Sequence, residues 1–152
     1  MPFILASSSP QRIKLLHQVK RIPHKILNPN INEAILPKEK PRDLCCRLAL
    51  LKAKDIHNKY PRNFILAADT VVSSGKRVLE KTSCENQAYD YLNLLSGKRH
   101  RVYGGIALLG PNIVRVRSVT TQVSFKRLSK EEIKKYLDTD EWKNKAGGYA
   151  IQ

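Results

Sequence analysis

The chain is 152 residues long, which fits one domain and suffices to bury a hydrophobic core without disulfides or metals. Hydrophobic residues make up 41% and charged residues 27%, which excludes a disordered, collagen-like or low-complexity chain. The unusual property is the charge, because 28 Lys and Arg against 13 Asp and Glu give a formal net charge of +15. This excess indicates a polyanionic partner such as a nucleotide, a nucleic acid or an acidic membrane surface.

The first elements are a strand, a turn and a helix. An apolar run at residues 3–6 is followed by Ser-Ser-Ser-Pro at 7–10 and then by apolar side chains at helical spacing. Ser9 suits the N-cap and Pro10 the first helical position, where a missing N–H is harmless. A proline-rich stretch is predicted to be extended or looped until Pro41 opens a second helix.

The middle of the chain contains a second strand and a third helix. Residues 64–72 form an apolar run that predicts a central strand covered on both faces. Thr82 and Glu85 have the spacing of a capping box and predict the start of the third helix, which Gly97 closes.

The last third contains two strands and a fourth helix. The strands are predicted over 101–109 and 113–125, because a Gly-Pro-Asn turn separates two β-type runs. Ser129 and Glu132 form another capping box ahead of the helix. This order of elements predicts a single mixed α/β domain.

The cell compartment is predicted from cysteines and apolar runs. The three cysteines form no disulfide framework and no Cys/His pair has zinc-finger spacing, which indicates a reducing compartment. The apolar start is too short for a signal peptide, and no run reaches the roughly 18 apolar residues of a membrane helix. We therefore expect a soluble cytoplasmic protein with no membrane partner.

The serine-rich turn at 7–10 suits a phosphate group. Backbone N–H donors and hydroxyls collect there at the positive end of a helix dipole. Arg12 lies in the first turn of that helix, where an anion nearby would stabilise it. The alternative is an ordinary N-cap with a solvated arginine, and this segment alone leaves both interpretations open.

Asp69 is the sharper indication of a site, because a carboxylate in an apolar run is costly unless it is paired or bound to a metal. Its alternative is an Asx turn with Thr70 at the end of the strand.

Glu33 in a polar loop and Lys52 late in a helix are each typical of solvated residues. Lys81 precedes a predicted helix start, where a cation indicates an anion nearby.

As a set, two carboxylates, two or three lysines and a phosphate-type turn are what metal-assisted phosphoryl chemistry requires. They supply oxygen ligands for Mg²⁺, cations against polyphosphate charge, and a base for water. The net charge also fits a non-catalytic basic nucleic-acid-binding module, although the basic residues form no tail and no reader motif is present. A dinucleotide-binding fold is disfavoured because the first turn lacks G-x-G-x-x-G.

Several blocks of the sequence resemble the Maf family of nucleoside triphosphate pyrophosphatases, in that family's order and along the whole chain. These blocks are Leu5-Ala6-Ser7-Ser8-Ser9-Pro10-Gln11-Arg12, Lys52-Ala53-Lys54, Ala68-Asp69-Thr70-Val71-Val72, Leu95-Ser96-Gly97-Lys98 and Lys145-Ala146-Gly147-Gly148-Tyr149-Ala150-Ile151-Gln152. The resemblance implies an α/β fold related to inosine triphosphatases, with a mixed central sheet flanked by helices and a substrate cleft, over residues 1–152. It also implies a cytoplasmic homodimer, and a chain that lacks the family's C-terminal strand and helix.

The resemblance further implies hydrolysis of a nucleoside triphosphate to a monophosphate and pyrophosphate, with Mg²⁺ or Mn²⁺ as cofactor and no specific nucleic acid as partner. Asp69 would accept the proton of the attacking water and, with Glu33, bind the metal. The residues implied to bind the phosphates are Ser7, Arg12, Lys52 and Lys81.

Base preference is the least determined property. Thr70 and Gln152 match the positions that set base preference in the family and agree with its pyrimidine branch, which takes dTTP and UTP. Gln11 departs from the family, since the pyrimidine branch has arginine there and the 7-methyl-GTP branch has tryptophan. We expect dTTP/UTP-like or modified nucleotides as substrates, without a fixed base.

Overall fold

The computed structural model describes residues 1–150, which form a mixed six-stranded sheet and four helices. The helices are α1 (Pro10–Gln18), α2 (Pro41–Lys59), α3 (Glu85–Leu95) and α4 (Lys130–Asp138). The strands are β1 (Phe3–Ala6), β2 (Lys25–Leu27), β3 (Phe64–Ser74), β4 (Arg77–Leu79), β5 (Arg99–Gly110) and β6 (Ile113–Ser124). The predicted α/β class is confirmed. Within residues 1–150, none of the helices has the length and apolar character needed to cross a membrane.

The sheet has the strand order β2-β1-β3-β5-β6, and β4 pairs with β3. Strand β1 is parallel to both β2 and β3, with Ile4 opposite Lys25 on one side and Ile65 on the other. Strand β4 runs antiparallel to β3, with Val72 opposite Leu79. The short strands β2 and β4 have no counterpart in the sequence-based prediction, whereas β3 is central as expected.

The residues cluster into two compact units. The first unit comprises Met1–Glu39, Asp43–Asp69 and Gly104–Ser118. The second comprises Lys40–Arg42, Thr70–Tyr103 and the chain from Val119 onward. That residues 1–152 form a single domain stays a prediction.

Each unit has its own hydrophobic core. In the first unit, side chains of α2 pack on those of β1, β3 and β5, and the buried set is Ile4, Ala6, Ala49, Ala53, Ile56, Ile65, Ala67, Ala107 and Leu109. In the second unit, α3 and α4 pack with each other and with Trp142, which follows α4, and the buried set is Ala88, Leu92, Ile133, Leu137 and Trp142. Burial of these apolar surfaces is the main term that stabilises each unit.

Three of the local signals at helix ends are confirmed, those at Ser9, at Ser129 with Glu132, and at Gly97. The Ser9 side chain accepts from the Arg12 N–H at 3.5 Å as the N-cap of α1. Ser129 and Glu132 make both hydrogen bonds of the capping box of α4. Gly97 follows α3 with φ +66°, a left-handed conformation that favours glycine. These ends depend on residues a few positions apart, which is why the sequence predicts them.

The capping box expected at Thr82 is wrong. The Thr82 hydroxyl accepts from the Cys84 N–H at 3.0 Å and bonds back to the Cys84 carbonyl, forming a local turn. Cys84 is therefore the N-cap, and Glu85 is the first residue of α3 and not its third. A threonine hydroxyl can bond to its own neighbouring backbone instead of capping a helix, and here it does so. Lys81 consequently lies three residues before the N-cap.

Candidate active site

A buried lysine lies between two carboxylates in the first unit. The Nζ atom of Lys52 is 2.6 Å from Oδ1 of Asp69 and 2.7 Å from Oε1 of Glu33. Lys52 and Asp69 are 6% and 5% exposed, whereas the Glu33 side chain is 46% exposed. Burying an ion without a partner is strongly unfavourable, so Lys52 and Asp69 each make the burial of the other possible. The site thus has a buried ion pair on the inside and a solvent-accessible carboxylate on the outside.

Lys52 is buried because it lies on the apolar face of α2. The buried positions Leu44, Leu48, Lys52 and Ile56 recur every four residues, which places them along one side of a helix. The solvated-face interpretation of Lys52 is therefore wrong. The sequence does contain a signal for the burial of Lys52, because Lys52 falls in a four-residue apolar spacing and a lysine buried there needs an anion as its partner.

Asp69 lies inside β3, which continues to Ser74, so the Asx-turn interpretation is wrong. Burial raises the pKa of Asp69 above its ordinary value, and the Lys52 ammonium and the Arg12 guanidinium partly offset that rise. A carboxylate with a raised pKa is a better proton acceptor than an ordinary aspartate. The position suits a general base.

The serine-rich turn brings Arg12 toward the carboxylates. The buried Ser7 hydroxyl accepts from the Ser9 N–H at 3.1 Å and from Nη1 of Arg12 at 3.2 Å. Burial lowers the pKa of Arg12, and the charges of Asp69 and Glu33 oppose this shift. The guanidinium stays protonated, since arginine is effectively always charged in proteins. Arg12 is therefore not a solvated surface arginine, although Ser9 is an ordinary N-cap as well.

The structure thus brings five of the predicted site residues together in one unit, and these are Ser7, Arg12, Glu33, Lys52 and Asp69. They supply two cations, two carboxylates and a hydroxyl at the N-terminus of α1. Such a set can bind a polyanion and accept a proton beside it.

The other predicted residues lie elsewhere. Gln11 is exposed and accepts from the Ser9 hydroxyl at 3.2 Å. Thr70 follows Asp69 directly, is exposed, and belongs to the second unit. Lys81 is also exposed in the second unit, where its backbone pairs with that of Ala146. Gln152 lies outside the described residues. The roles assigned to these residues stay predictions.

Carboxylate oxygens such as those of Glu33 and Asp69 are the kind of ligand that Mg²⁺ or Mn²⁺ takes, and here one oxygen of each carboxylate contacts Nζ of Lys52. Mg²⁺ in proteins usually takes one or two carboxylates and fills its other positions with water and substrate phosphate oxygens. In the part of the chain that the structure describes, no group of three or more His, Cys, Asp or Glu side chains could hold a metal ion. A cation bound by these two carboxylates would therefore need further ligands, such as water or phosphate oxygens.

Two residues of α2 that hold the loop around Glu33 were missed in the sequence. Arg47 donates to the Ala34 carbonyl, and Asp55 accepts from the Asn30 N–H. No local spacing indicates either contact, because one partner lies in a helix and the other in an irregular loop.

Comparison with known proteins gives matches along nearly the whole chain. Residues 2–152 match the family described as Maf-like protein. A protein of Wolbachia sp. subsp. Drosophila simulans (strain wRi), named dTTP/UTP pyrophosphatase, is 50% identical over 151 residues, which are 98% of this chain and 76% of that relative. A protein of Anaplasma phagocytophilum (strain HZ), named nucleoside triphosphate pyrophosphatase, is 46% identical over 150 residues, 98% of this chain and 78% of the relative.

Proposed function

The chain belongs to the Maf family, and from that premise we propose that it is a nucleoside triphosphate pyrophosphatase. It hydrolyses a nucleoside triphosphate between the α and β phosphates and releases a nucleoside monophosphate and pyrophosphate. The observation that carries the proposal is the buried Lys52 ammonium between Asp69 and Glu33. Relatives at 46–50% identity that are named for this activity support it.

Binding of the triphosphate rests on the cations. Lys52 and Arg12 offset the charge of the phosphate oxygens, and the backbone donors at the start of α1 add a favourable dipole. Ser7 fixes the Arg12 side chain through its hydroxyl. Lys81 is proposed to contribute a further cation. Arg12, Lys52 and Lys81 account for a small part of the +15 net charge, and in this proposal their function is to bind phosphate.

The chemical step is displacement at the α-phosphorus. Water attacks, the bond from the α-phosphorus to the α–β bridging oxygen breaks, and pyrophosphate leaves with the bonding electrons. Asp69 accepts the proton of the attacking water, and Lys52 offsets charge that develops on the phosphate oxygens. Mg²⁺ or Mn²⁺, held by Glu33 and Asp69, would supply further charge neutralisation and lower the pKa of water.

The substrate base is proposed from the family alone. Thr70 and Gln152 favour a pyrimidine such as that of dTTP or UTP, and Gln11 leaves modified nucleotides open. A panel of the eight common triphosphates and several modified ones, compared by kcat/KM, identifies the base.

Product analysis tests the reaction. The purified chain is incubated with dTTP or UTP and Mg²⁺, and the nucleotide and phosphate products are quantified. We expect nucleoside monophosphate and pyrophosphate in equal amounts. Release of nucleoside diphosphate and inorganic phosphate, or no product above the blank, would contradict the proposal. Full activity in excess chelator would contradict the metal requirement alone.

The net charge of +15 favours one alternative, a non-catalytic nucleic-acid-binding module. That function predicts affinity for DNA or RNA that falls steeply with salt and does not change in Asp69→Asn. Pyrophosphate release that depends on Asp69, without affinity for DNA or RNA, excludes the nucleic-acid-binding module.

We also propose, from the family resemblance, a cytoplasmic homodimer. Sedimentation of the chain as a monomer at micromolar concentration would contradict the dimer.

A further inference from the structure

The loop that carries Glu33 is fastened to α2 on both sides of that residue. On the N-terminal side, the Asn30 N–H donates to Oδ2 of Asp55 at 3.0 Å. On the C-terminal side, the Ala34 carbonyl accepts from Nη2 of Arg47 at 2.8 Å. Glu33 therefore sits between two points at which irregular backbone is tied to a helix.

The second attachment is a clamp formed by Arg47 and Glu39. The guanidinium makes two parallel hydrogen bonds to the carboxylate, Nε to Oε2 at 2.6 Å and Nη2 to Oε1 at 2.8 Å. Such bidentate pairs fix geometry as well as charge. The Arg47 side chain holds the pKa of Glu39 below its usual value, so the carboxylate stays ionised. Glu39 also accepts from the Leu36 N–H at 3.2 Å, which extends the clamp into the loop.

The turn around Glu33 is closed from within the loop as well. Oδ1 of Asn32 accepts from the Ala34 N–H at 2.9 Å, so the side chain before Glu33 is bonded to the backbone after it. The two polar groups of the Ala34 backbone are thus both used, the N–H by Asn32 and the carbonyl by Arg47. These two hydrogen bonds fix the position of the backbone next to Glu33, from which its side chain extends.

Arg47 and Lys52 belong to the same helix. They are five residues apart, which corresponds to about 7.5 Å along the helix axis. A rigid element therefore carries both the ammonium that Glu33 contacts and the guanidinium that holds the Glu33 loop. The position of Glu33 relative to the buried ion pair is set through α2.

We propose that Arg47 is a positioning residue, which clamps Glu39 and the Ala34 carbonyl to α2 and so holds the Glu33 carboxylate beside Lys52 for the reaction. This inference rests on the proposed function, in which Glu33 is part of the site. Glu33 is half-exposed and lies in a loop, so without the clamp its carboxylate would lose order that catalysis needs.

A double-mutant cycle tests the proposal, with the variants Arg47→Met, Glu33→Gln and both together. We expect Arg47→Met to lower kcat about 10- to 100-fold with a smaller change in KM, as for other residues that orient a site carboxylate. In the Glu33→Gln background the same substitution should have less than about a threefold effect, because coupled residues do not contribute additively. Lys54→Met, which removes an exposed cation of the same helix, is the matched control and should leave kcat unchanged.

A purely structural role gives a different result. Arg47→Met would then lower kcat by the same factor in both backgrounds, and that outcome, or no loss at all, would overturn the proposal. If Arg47→Met does not fold, Arg47→Lys keeps the charge but cannot reach Glu39 and the Ala34 carbonyl together, and the same cycle applies.

Amide hydrogen exchange provides a readout that does not need activity. Residues 30–39 should exchange faster in Arg47→Met than in the wild type, and unchanged exchange there would overturn the clamp. If the wild type releases no pyrophosphate from any triphosphate, the proposed function fails, while exchange still reports whether Arg47 holds the loop.

Discussion

The Nζ atom of Lys52 lies 2.6 Å from Oδ1 of Asp69, and both side chains are almost fully buried. One comes from the apolar face of a helix and the other from a central strand of the sheet. Because each charge lowers the cost of burying the other, the two side chains depend on each other in both stability and chemistry.

Asp69→Asn should remove most turnover. Asparagine keeps the shape of the side chain but cannot accept the proton of the attacking water, and loss of a general base typically costs about 100- to 10,000-fold. Initial rates of pyrophosphate release measure the loss, and circular dichroism checks the fold. The matched control is Asp90→Asn, an exposed aspartate in α3. A folded Asp69→Asn variant with an unchanged rate would contradict the assigned role.

The pH dependence of activity should follow the ionisation of Asp69. Burial raises its pKa above the ordinary 3.8, and the base works only when it is ionised. We therefore expect kcat/KM, which reports the free enzyme, to rise with pH through an acid limb that lies above pH 3.8. An acid limb at or below that value would show that Asp69 is not the group that controls activity.

The same pKa shift has a consequence for stability. Since the folded pKa of Asp69 is higher than the unfolded one, its protonated form favours folding at low pH, and this contribution is lost as pH rises through the folded pKa. Relative to Asp69→Asn, the wild type should thus lose unfolding free energy as pH increases from about 4 toward neutrality. Urea unfolding at several pH values measures it, and a difference that grows in the opposite direction would be inconsistent with a raised pKa.

Lys52→Met should destabilise the fold as well as abolish activity. Removing one partner of a buried ion pair typically costs about 3–5 kcal/mol, because the remaining charge is left unpaired. Adding Asp69→Asn to Lys52→Met should restore part of that stability, since it removes the stranded charge. Denaturant midpoints measure both steps, with Lys54→Met as the exposed control on the same helix. Strictly additive losses would mean that the two side chains do not depend on each other.

Gly105→Ala should destabilise the first unit through backbone contact. A Cβ atom at Gly105 would lie 2.4 Å from the carbonyl oxygen of Cys45 and 2.7 Å from its carbonyl carbon. Neither atom can move without shifting α2 against β5, so we expect a loss of about 3 kcal/mol or more, at the upper end of the cost of overpacked sites. At Gly75 the space is open and only the positive φ of +58° opposes a side chain, so Gly75→Ala should cost about 1–2 kcal/mol. Thermal unfolding of the two variants compares them, and equal losses would contradict the close approach of β5 and α2.

The sequence by itself determined the features that depend on neighbouring residues. Ser9 and Ser129 cap helices because each needs only an N–H three residues ahead. The proline at position 41 opens α2, and the turn between β5 and β6 follows from three adjacent residues. Where a second local bond competes, as at Thr82, the pattern fails even at short range.

Only the tertiary structure decided how the site is assembled. Glu33, Lys52 and Asp69 come from a loop, a helix and a strand, and their contacts span 17 residues or more between Lys52 and either carboxylate. The sequence fixes which residue types are available, but burial and pairing of a charge depend on which elements pack together. The four-residue spacing placed Lys52 on an apolar face, and the packing of α2 against β3 supplied the anion that it needs. The contacts of Arg47 are the clearest case that the sequence does not predict, because its partners lie in an irregular loop that no periodic pattern describes.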